Sequence, residues 1–287
     1  MSLFTKIKDT VAGWFGFGTD SITESEPDSK SGPIIMASQT SEDLQSALVA
    51  HYKMNDNVAS KVVLDSSGNG YHGTSVRDTS LMHVDGKVDG AFDFNGSSDY
   101  VDTGNKFEDI FSDSFSTSVW VKPDDGHPFD GEHILIQKFF NGDARYFWLT
   151  LESAGEIDVY FEKSISSEEI TIITDPVFDS GQETWHHIII VFEQVSPTSL
   201  IGRIYVDGVL EKTEEAGWSL AGYTTNGNLM IGQQQVSPFF AGLIDNVMIF
   251  NKALNQEEID FLYNGGLGRE DLDDTTAGQV CYRSRRR

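Results

Sequence analysis

Hydrophobic and polar positions alternate with a period of two in many short runs between residues 48 and 250. The runs are rich in Val, Ile, Phe, Tyr and Trp, and clusters of Gly, Asn, Asp and Pro separate them. This pattern is typical of β-strands with one buried face, joined by turns. It predicts an all-β protein with strands near residues 48–54, 61–65, 91–95, 99–103, 115–122, 132–140, 144–151, 155–162, 169–174, 185–194, 201–207, 228–232 and 241–250.

Residues 239–266 (FFAGLIDNVMIFNKALNQEEIDFLYNGG) combine one strand with one short helix. Asn255 is placed to cap the helix and Gly265 to end it. We expect the strand to close a sheet just before the chain leaves the domain. Its period-two positions are Leu243, Asp245, Val247 and Ile249, and the apolar face of the helix is Ile259, Leu262 and Tyr263.

The first 46 residues lack the strand pattern. Residues 2–15 place apolar side chains at helical spacing, whereas residues 19–45 are mostly Ser, Thr, Asp, Glu and Pro. The first stretch predicts an amphipathic helix and the second an extended arm or linker. The helix could dock on a partner protein, lie on a membrane surface or pack on its own domain. Because the chain is acidic, the membrane is the least favoured of the three.

Charge and cysteine content exclude several classes of protein. The formal net charge is −25 over 287 residues, which repels phosphate backbones and anionic membranes. We therefore expect no nucleic-acid partner, despite the arginines near residue 287. Cys281 is the only cysteine, so an internal disulfide is excluded. No apolar run approaches the ~18 residues of a membrane span, and no secretion signal is visible at the N-terminus.

A set of short segments carries a family resemblance: LDSSGNG (64–70), FDFNG (92–96), FSTSVWV (115–121), WHH (185–187), IYVDG (204–208), LMIG (229–232), GLID (242–245) and IFNKAL (249–254). In this order they resemble the laminin-G-like, concanavalin A-like lectin/glucanase domains, over residues 48–266. The resemblance implies a two-sheet antiparallel jelly-roll sandwich. Together with the residue pattern, this predicts an all-β, concanavalin A-like fold with a short C-terminal helix and extended terminal arms. The predicted parts are an amphipathic helix plus polar docking arm or linker (1–46), the sandwich (47–267), and an acidic then Arg-rich tail (268–287).

The same resemblance implies a calcium site. Gly-, Asn- and Asp-rich turns supply the oxygen ligands that Ca²⁺ prefers, and residues 64–70 form such a turn. The implied ligands are Asp65, Asn69 and Asp245, completed by backbone carbonyl groups such as that of Gly70. The alternative is that the side chains only make hydrogen bonds that organise the turn.

The segment EIDVYFE (156–162) is similar to the catalytic strand of glucanases with this fold, but has one extra residue between the outer carboxylates. On a flat strand Glu156 and Glu162 would lie ~20 Å apart, too far for a hydrolytic pair, which needs at most ~9.5 Å. Asp158 lies closer to Glu156 and on the same face. We favour a polar strand face without catalysis, and keep a glycoside hydrolase as the alternative.

Exposed aromatic rings with neighbouring amide groups are typical of glycan binding. One set follows the middle strands, at Tyr146, Trp148 and Tyr160, and another lies in predicted loops, at Trp218, Tyr223, Phe239 and Phe240 with Gln233, Gln234 and Gln235. Because recognition is usually built on loops, we predict the loop set, with Trp218, Tyr223, Gln234 and Phe239 as the binding residues.

These features predict a non-catalytic binding or structural module displayed on a surface. A virion decoration or adhesion protein fits best, with residues 1–46 docked on an assembly partner and the sandwich binding a glycan or a protein. A homo-oligomer, a bacterial cell-surface or filament protein and a cytoplasmic lectin remain open.

Overall fold

The computed structural model describes residues 32–107, 109–124, 132–139, 146–164, 168–179, 181–223, 227–233 and 239–273. The amphipathic helix predicted at residues 2–15 and the end of the tail, 274–287, lie outside the described residues. The two helices are α1 (Gly32–Ala47) and α2 (Gln256–Tyr263). The strands are β1 (Leu48–Tyr52), β2 (Val62–Val63), β3 (Gly73–Ser75), β4 (His83–Asp85), β5 (Gly90–Asn95), β6 (Val101–Asp102), β7 (Phe115–Pro123), β8 (His133–Phe139), β9 (Tyr146–Leu151), β10 (Ile157–Ser164), β11 (Glu168–Ile173), β12 (His186–Ser196), β13 (Ser199–Val206), β14 (Val209–Ala216), β15 (Leu229–Ile231) and β16 (Ala241–Phe250).

The strands form two antiparallel sheets, each 8-stranded, as the sequence predicts. Sheet A has the order β14-β13-β12-β7-β16-β5-β4, and β1 also pairs with β16. Sheet B has the order β11-β10-β9-β8-β15-β6-β3-β2. Consecutive strands in the chain often lie in different sheets, which is the arrangement of a jelly-roll sandwich.

The inner sides of the two sheets share one hydrophobic core. Alternate residues of the strands point into it because successive side chains of a strand face opposite sides. Phenylalanine fills much of its volume, and Phe115 lies within 5.1 Å of Phe192 and 5.5 Å of Phe147, measured between ring centroids. The other buried phenylalanines of this core are Phe92, Phe94, Phe107, Phe111, Phe161, Phe178 and Phe240.

Helices α1 and α2 cover the outer side of sheet A and bury a second, smaller core. Leu44 of α1 and Ile259 of α2 are both 0% exposed, and they pack with Met248 and Phe250 of β16. The prediction of an extended arm is therefore wrong for residues 32–46, because this segment gains buried apolar contacts by folding onto the sheet.

Residues 268–273, predicted as part of a free tail, also pack on the domain. Leu272 is 5% exposed in the second core, and its carbonyl oxygen accepts a hydrogen bond from the Ser41 hydroxyl. The ammonium group of Lys53 donates to Asp271 Oδ1 at 2.8 Å. The packed domain thus extends beyond residues 47–267 at both ends.

The closing strand β16 does not keep the predicted alternation. Its register shifts between Asp245 and Met248, and Asn246 has a positive φ of 52°. This bulge leaves Val247 facing the core between the sheets, like Ile244, whereas Asp245 points to the outer side of sheet A. A bulge adds one residue to a strand and so reverses which side the following residues face.

Local signals at the end of the domain are confirmed in part. The Asn255 side chain accepts from the Glu258 N–H and the Glu258 side chain accepts from the Asn255 N–H, which is a capping box. The left-handed residue that ends α2 is Asn264 (φ 51°), one position before the predicted Gly265. In the hairpin between β13 and β14, Asp207 and Gly208 both have positive φ, as predicted.

Three strands escaped the sequence pattern, β3, β4 and β14. β14 (VLEKTEEA) lies at the edge of sheet A and is largely exposed. Charged side chains on an edge strand prevent pairing with other chains, so this strand lacks the apolar alternation of a half-buried one.

Leu44→Ala tests whether α1 is part of the domain. Removing a fully buried leucine side chain should lower the free energy of unfolding by about 2–5 kcal/mol. Chemical denaturation of the full chain measures this, with the exposed neighbour Gln45→Ala as the control. Equal midpoints for the two variants would contradict packing of α1 on sheet A.

Candidate functional site

Four strands of sheet B present a continuous set of side chains on the side that faces away from the core. The register places Gln137 of β8 beside Trp148 of β9, Trp148 beside Tyr160 of β10, and Tyr160 beside Thr171 of β11. The rings of Trp148 and Tyr160 stack with centroids 4.7 Å apart and planes at 25°. Tyr160 also donates its hydroxyl proton to Glu169 Oε2 at 3.0 Å, which fixes the ring. We call this surface the β8–β11 face.

Acidic groups border the aromatic pair. Asp158 lies two residues before Tyr160 in β10 and points to the same side of the sheet. Burial and the negative charges of Glu152 and Glu132 raise its pKa to about 6. Burial also raises the pKa of Glu152, whose Oε1 accepts a hydrogen bond from Thr150 Oγ1 at 3.0 Å. Because these groups repel each other, the face favours a ligand that brings hydrogen-bond donors and no negative charge.

Two buried oxygens of this face have no hydrogen-bond partner within the described residues, Oε1 of Gln137 and Oδ1 of Asp158. Gln137 is 1% exposed, although a buried polar atom normally has a partner. Both oxygens are hydrogen-bond acceptors, although neither is open to solvent in this conformation. Sequence reasoning missed Gln137 and Glu132, and the available signal was a glutamine inside the otherwise apolar strand HILIQKF.

The predicted hydrolase residues are only partly on this face. Glu156 precedes β10 and lies in a turn, where its carbonyl oxygen accepts the Glu152 N–H at 2.8 Å. Asp158 and Glu162 do point outward from β10, but four residues of extended strand separate them by about 13 Å. Asp158 and Glu162 thus lie on the polar outward face that the sequence predicts, with Ile157, Val159 and Phe161 in the core, whereas Glu156 lies just before the strand.

The predicted loop set does not form one exposed platform. Tyr223 is 1% exposed, and its ring centroid lies 4.9 Å from that of Phe161. The prediction that Tyr223 binds a glycan is therefore wrong, because its ring offers no surface to a ligand. Trp218 is partly buried and stacks on Phe161 at 5.9 Å. Phe239 is partly buried and forms a bridge with Gln233. Gln234 lies outside the described residues.

The predicted calcium ligand Asp65 organises a turn. Its Oδ1 accepts the backbone N–H groups of His51 and Ser67, both at 2.9 Å, and its Oδ2 accepts Ser67 Oγ and the Tyr71 N–H, again at 2.9 Å. Burial raises the pKa of Asp65, but these hydrogen bonds lower it by more, so it lies below its usual value. The carboxylate already has a full set of donors.

The other predicted ligands do not complete a metal site around it. Asn69 turns its Nδ2 to the Val49 carbonyl oxygen at 2.9 Å, and Gly70 supplies a positive φ of 75°. Asp245 accepts the N–H groups of residues 87–88 through Oδ2, and burial raises its pKa to about 8. Among the described residues, no three His, Cys, Asp or Glu side chains are grouped to hold a metal ion. Because amide and backbone carbonyl oxygens also bind calcium, the calcium site stays a prediction.

A two-sheet jelly-roll with helices on one side and a polar, aromatic face on the other defines a lectin-like sandwich domain. A family model described as the concanavalin A-like lectin/glucanases superfamily matches residues 95–260, more than half of the chain. The chain therefore belongs to this family, as its motifs indicate. No curated protein sequence matches it.

Solved structures share the fold at low sequence identity. Domain 4 of AbnA, an extracellular arabinanase from Geobacillus stearothermophilus solved with arabinotriose, is 22% identical with a TM-score of 0.52, covering 78% of this chain and 98% of that domain. The binding domain of Paraclostridial Mosquitocidal Protein 1 is 19% identical with a TM-score of 0.58, covering 78% of this chain and 53% of that one.

A structure of botulinum neurotoxin type C, whose cell entry depends on interaction with two ganglioside molecules, is 15% identical with a TM-score of 0.56. The match covers 79% of this chain and 53% of that one. This chain thus spans about half the length of the toxin structures. None of the helices in the described part of the chain is long and apolar enough to cross a membrane.

Titration of Asp158 tests the electrostatics of the β8–β11 face. We expect an apparent pKa near 6 in the carboxyl signals of an NMR titration, and a lower value in Glu152→Gln because one neighbouring negative charge is removed. Since the folded-state pKa is raised, the contribution of Asp158 to stability falls as the pH rises from its unfolded value near 4 towards 6.

Glu162→Gln is the matched control, because Glu162 contributes nothing to the shift of Asp158. A pKa near 4 for Asp158 would contradict the raised value. An equal change of this pKa in Glu152→Gln and Glu162→Gln would contradict the charge coupling between Asp158 and Glu152.

Proposed function

We propose that this protein is a non-catalytic carbohydrate-binding module and that the β8–β11 face binds the saccharide. The observation that carries the proposal is the stacked Trp148–Tyr160 pair beside the unpartnered oxygens of Gln137 and Asp158. Sugar rings have apolar C–H faces that pack on aromatic rings, and hydroxyl groups that donate to buried acceptors. Trp148 and Tyr160 supply the aromatic surface, and Gln137 Oε1 and Asp158 Oδ1 become available to a hydroxyl group only when their side chains move, because both atoms are buried.

The chemistry of this face favours neutral saccharides. Glu132, Glu152 and Asp158 surround it with carboxylates, and the chain as a whole carries a net charge of −25. A sialylated or sulfated glycan would be repelled, whereas hydroxyl donors would be attracted. Structures with the same fold support carbohydrate as the ligand class, since one was solved with arabinotriose and the cell entry of another protein depends on gangliosides. Because gangliosides are anionic, only the arabinotriose structure supports a neutral saccharide.

Trp148→Ala tests the binding face. Loss of the stacking surface should weaken binding to immobilised arabino-oligosaccharides or neutral oligosaccharide panels by about ten-fold. Tyr160→Phe keeps the ring and should retain most of the affinity. Val209→Ala, an exposed substitution on sheet A, is the control, and melting curves of all three show whether the fold is intact. Unchanged affinity in a folded Trp148→Ala would refute this location.

A glycoside hydrolase is the second candidate, because Asp158 has a raised pKa and two nearby glutamates. A protonated carboxylic acid beside a carboxylate is the arrangement of glycoside hydrolysis. The module proposal expects no release of reducing ends from any polysaccharide. Turnover that is lost in Asp158→Asn and retained in Glu156→Gln would make the face an active site.

Calcium binding at Asp65, Asn69, Gly70 and Asp245 stays a prediction. If it is correct, millimolar calcium raises the melting temperature of the full chain by mass action and Asp65→Asn abolishes the effect, whereas magnesium has none. The ion would have to displace hydrogen bonds that both carboxylates now accept. An identical melting curve in calcium and in chelator would dismiss the site.

Surface display on a virion or another extracellular particle, with residues 1–46 docked on an assembly partner, also remains a prediction. Because α1 packs on sheet A, a truncation that tests the docking segment should begin at residue 32 rather than at Ala47. Light scattering can then compare the mass of the full chain with that of the chain that begins at residue 32, and both chains keep the buried Leu44 side chain.

A further inference from the structure

A cleft of about 600 Å³ opens at one end of the sandwich, away from the β8–β11 face. It lies between the junction of α1 and β1, the turn at residues 66–71, residues 105–106 and 109–110, and Asn251 directly after β16. Its volume is within the range of ligand pockets, about 300–1,000 Å³. We call it the end cleft.

The floor of the end cleft is apolar and rigid. Val49, Tyr71 and Ile110 line it and pack against the core between the sheets. The Tyr71 and Phe107 rings meet edge-on, with centroids 5.3 Å apart. The backbone N–H and carbonyl oxygen of Tyr71 both make hydrogen bonds. Its N–H donates to Asp65 Oδ2 at 2.9 Å, and its carbonyl oxygen accepts the Tyr52 hydroxyl at 2.6 Å. The floor is therefore preorganised for a flat apolar surface.

The rim of the end cleft carries amide groups. Asn105 and Asn251 line it, and neither side chain makes a hydrogen bond to any described residue. Asn69 uses its Nδ2 to hold the Val49 carbonyl oxygen, which leaves its Oδ1 as an acceptor. Each primary amide offers two donors and an acceptor, so the rim can pair with hydroxyl groups in either direction.

The charges of the rim balance. Lys106 and Asp109 are its two ionisable side chains among the described lining residues, and Lys106 is tied to the His72 carbonyl oxygen at 3.0 Å. No pair of carboxylates is found among the described lining residues. An apolar floor, an amide rim and balanced charges on the described lining residues suit a neutral saccharide.

We propose that the end cleft is a second saccharide-binding site, which takes a short neutral oligosaccharide through Tyr71, Asn69, Asn105 and Asn251. It shares no residue with the β8–β11 face. The two sites together would let the protein bind a multivalent glycan surface, with an avidity gain of about 10²–10⁴ over one site. The end cleft does not depend on the proposed function, since either site can bind alone.

Solution NMR of the isotope-labelled full chain tests this site. The probes are arabinotriose, cellotriose, maltotriose and lactose at millimolar concentration, with sialyllactose as the anionic comparison. We expect at least one neutral sugar to shift the side-chain amide signals of Asn69, Asn105 and Asn251 in a saturable way. Asn105→Ala and Asn251→Ala should each weaken this binding by about ten-fold, the loss of one or two hydrogen bonds.

Asn57→Ala is the matched control, because Asn57 is exposed and does not line the cleft. Trp148→Ala must leave the amide shifts unchanged. If every neutral sugar leaves these amide signals unmoved, the end cleft is not a saccharide site, and shifts confined to the Trp148 indole would then support the proposed function alone. Equal binding of sialyllactose would overturn the choice of a neutral ligand.

Discussion

The bulge at Asn246 in β16 is the constraint on which both cores depend. β16 lies at the centre of sheet A and pairs with β7, β5 and β1. By inserting one residue, the bulge directs Ile244, Val247 and Ile249 into the core between the sheets and leaves Met248 and Phe250 for the helices. Asparagine tolerates the required positive φ better than other non-glycine residues.

The Asn246 side chain also ties separate segments of the chain together. Its Oδ1 accepts from His51 Nε2 at 2.6 Å, and its Nδ2 donates to the Arg269 carbonyl oxygen at 2.8 Å. Burial lowers the pKa of His51 to about 4, so the imidazole is neutral at physiological pH. Burying the neutral ring avoids the free-energy cost of removing a charge from water. One carboxamide thus joins β1, β16 and the segment after α2.

Within the described residues, helices cover only one of the two outer surfaces of the sandwich. On sheet A, α1, α2 and Leu272 bury an apolar surface, although Trp120 Nε1, His187 Nδ1 and Asp245 Oδ1 have no hydrogen-bond partner there among the described residues. On sheet B, the outward side chains between β8 and β11 are aromatic, amide and acidic, and two buried oxygens there lack a partner in the described structure. Because such atoms are left on both sheets, they do not by themselves mark a ligand site, and the stacked Trp148–Tyr160 pair is what sets the β8–β11 face apart.

Local features could be predicted from the sequence because a few neighbouring residues determine them. The strands with apolar alternation, the Asp207–Gly208 turn and the Asn255 cap are of this kind. Because of the family resemblance, the two-sheet fold as a whole could also be predicted from the sequence. Trp148 and Tyr160 were also visible as aromatic residues on the middle strands, although the pattern could not show that they stack.

Tertiary structure alone decided the features that depend on residues distant in the chain. The burial of Tyr223 comes from Phe161 and Phe111. The raised pKa of Asp158 comes from burial and from the charges of Glu152 and Glu132, and the donors of Asp65 come partly from β1. The helix at residues 32–47 forms against sheet A, where Leu44 is buried, although its own sequence is polar. Burial and electrostatic energy sum over all atoms that surround a group in space, and the spacing of residues along one strand carries no record of that sum.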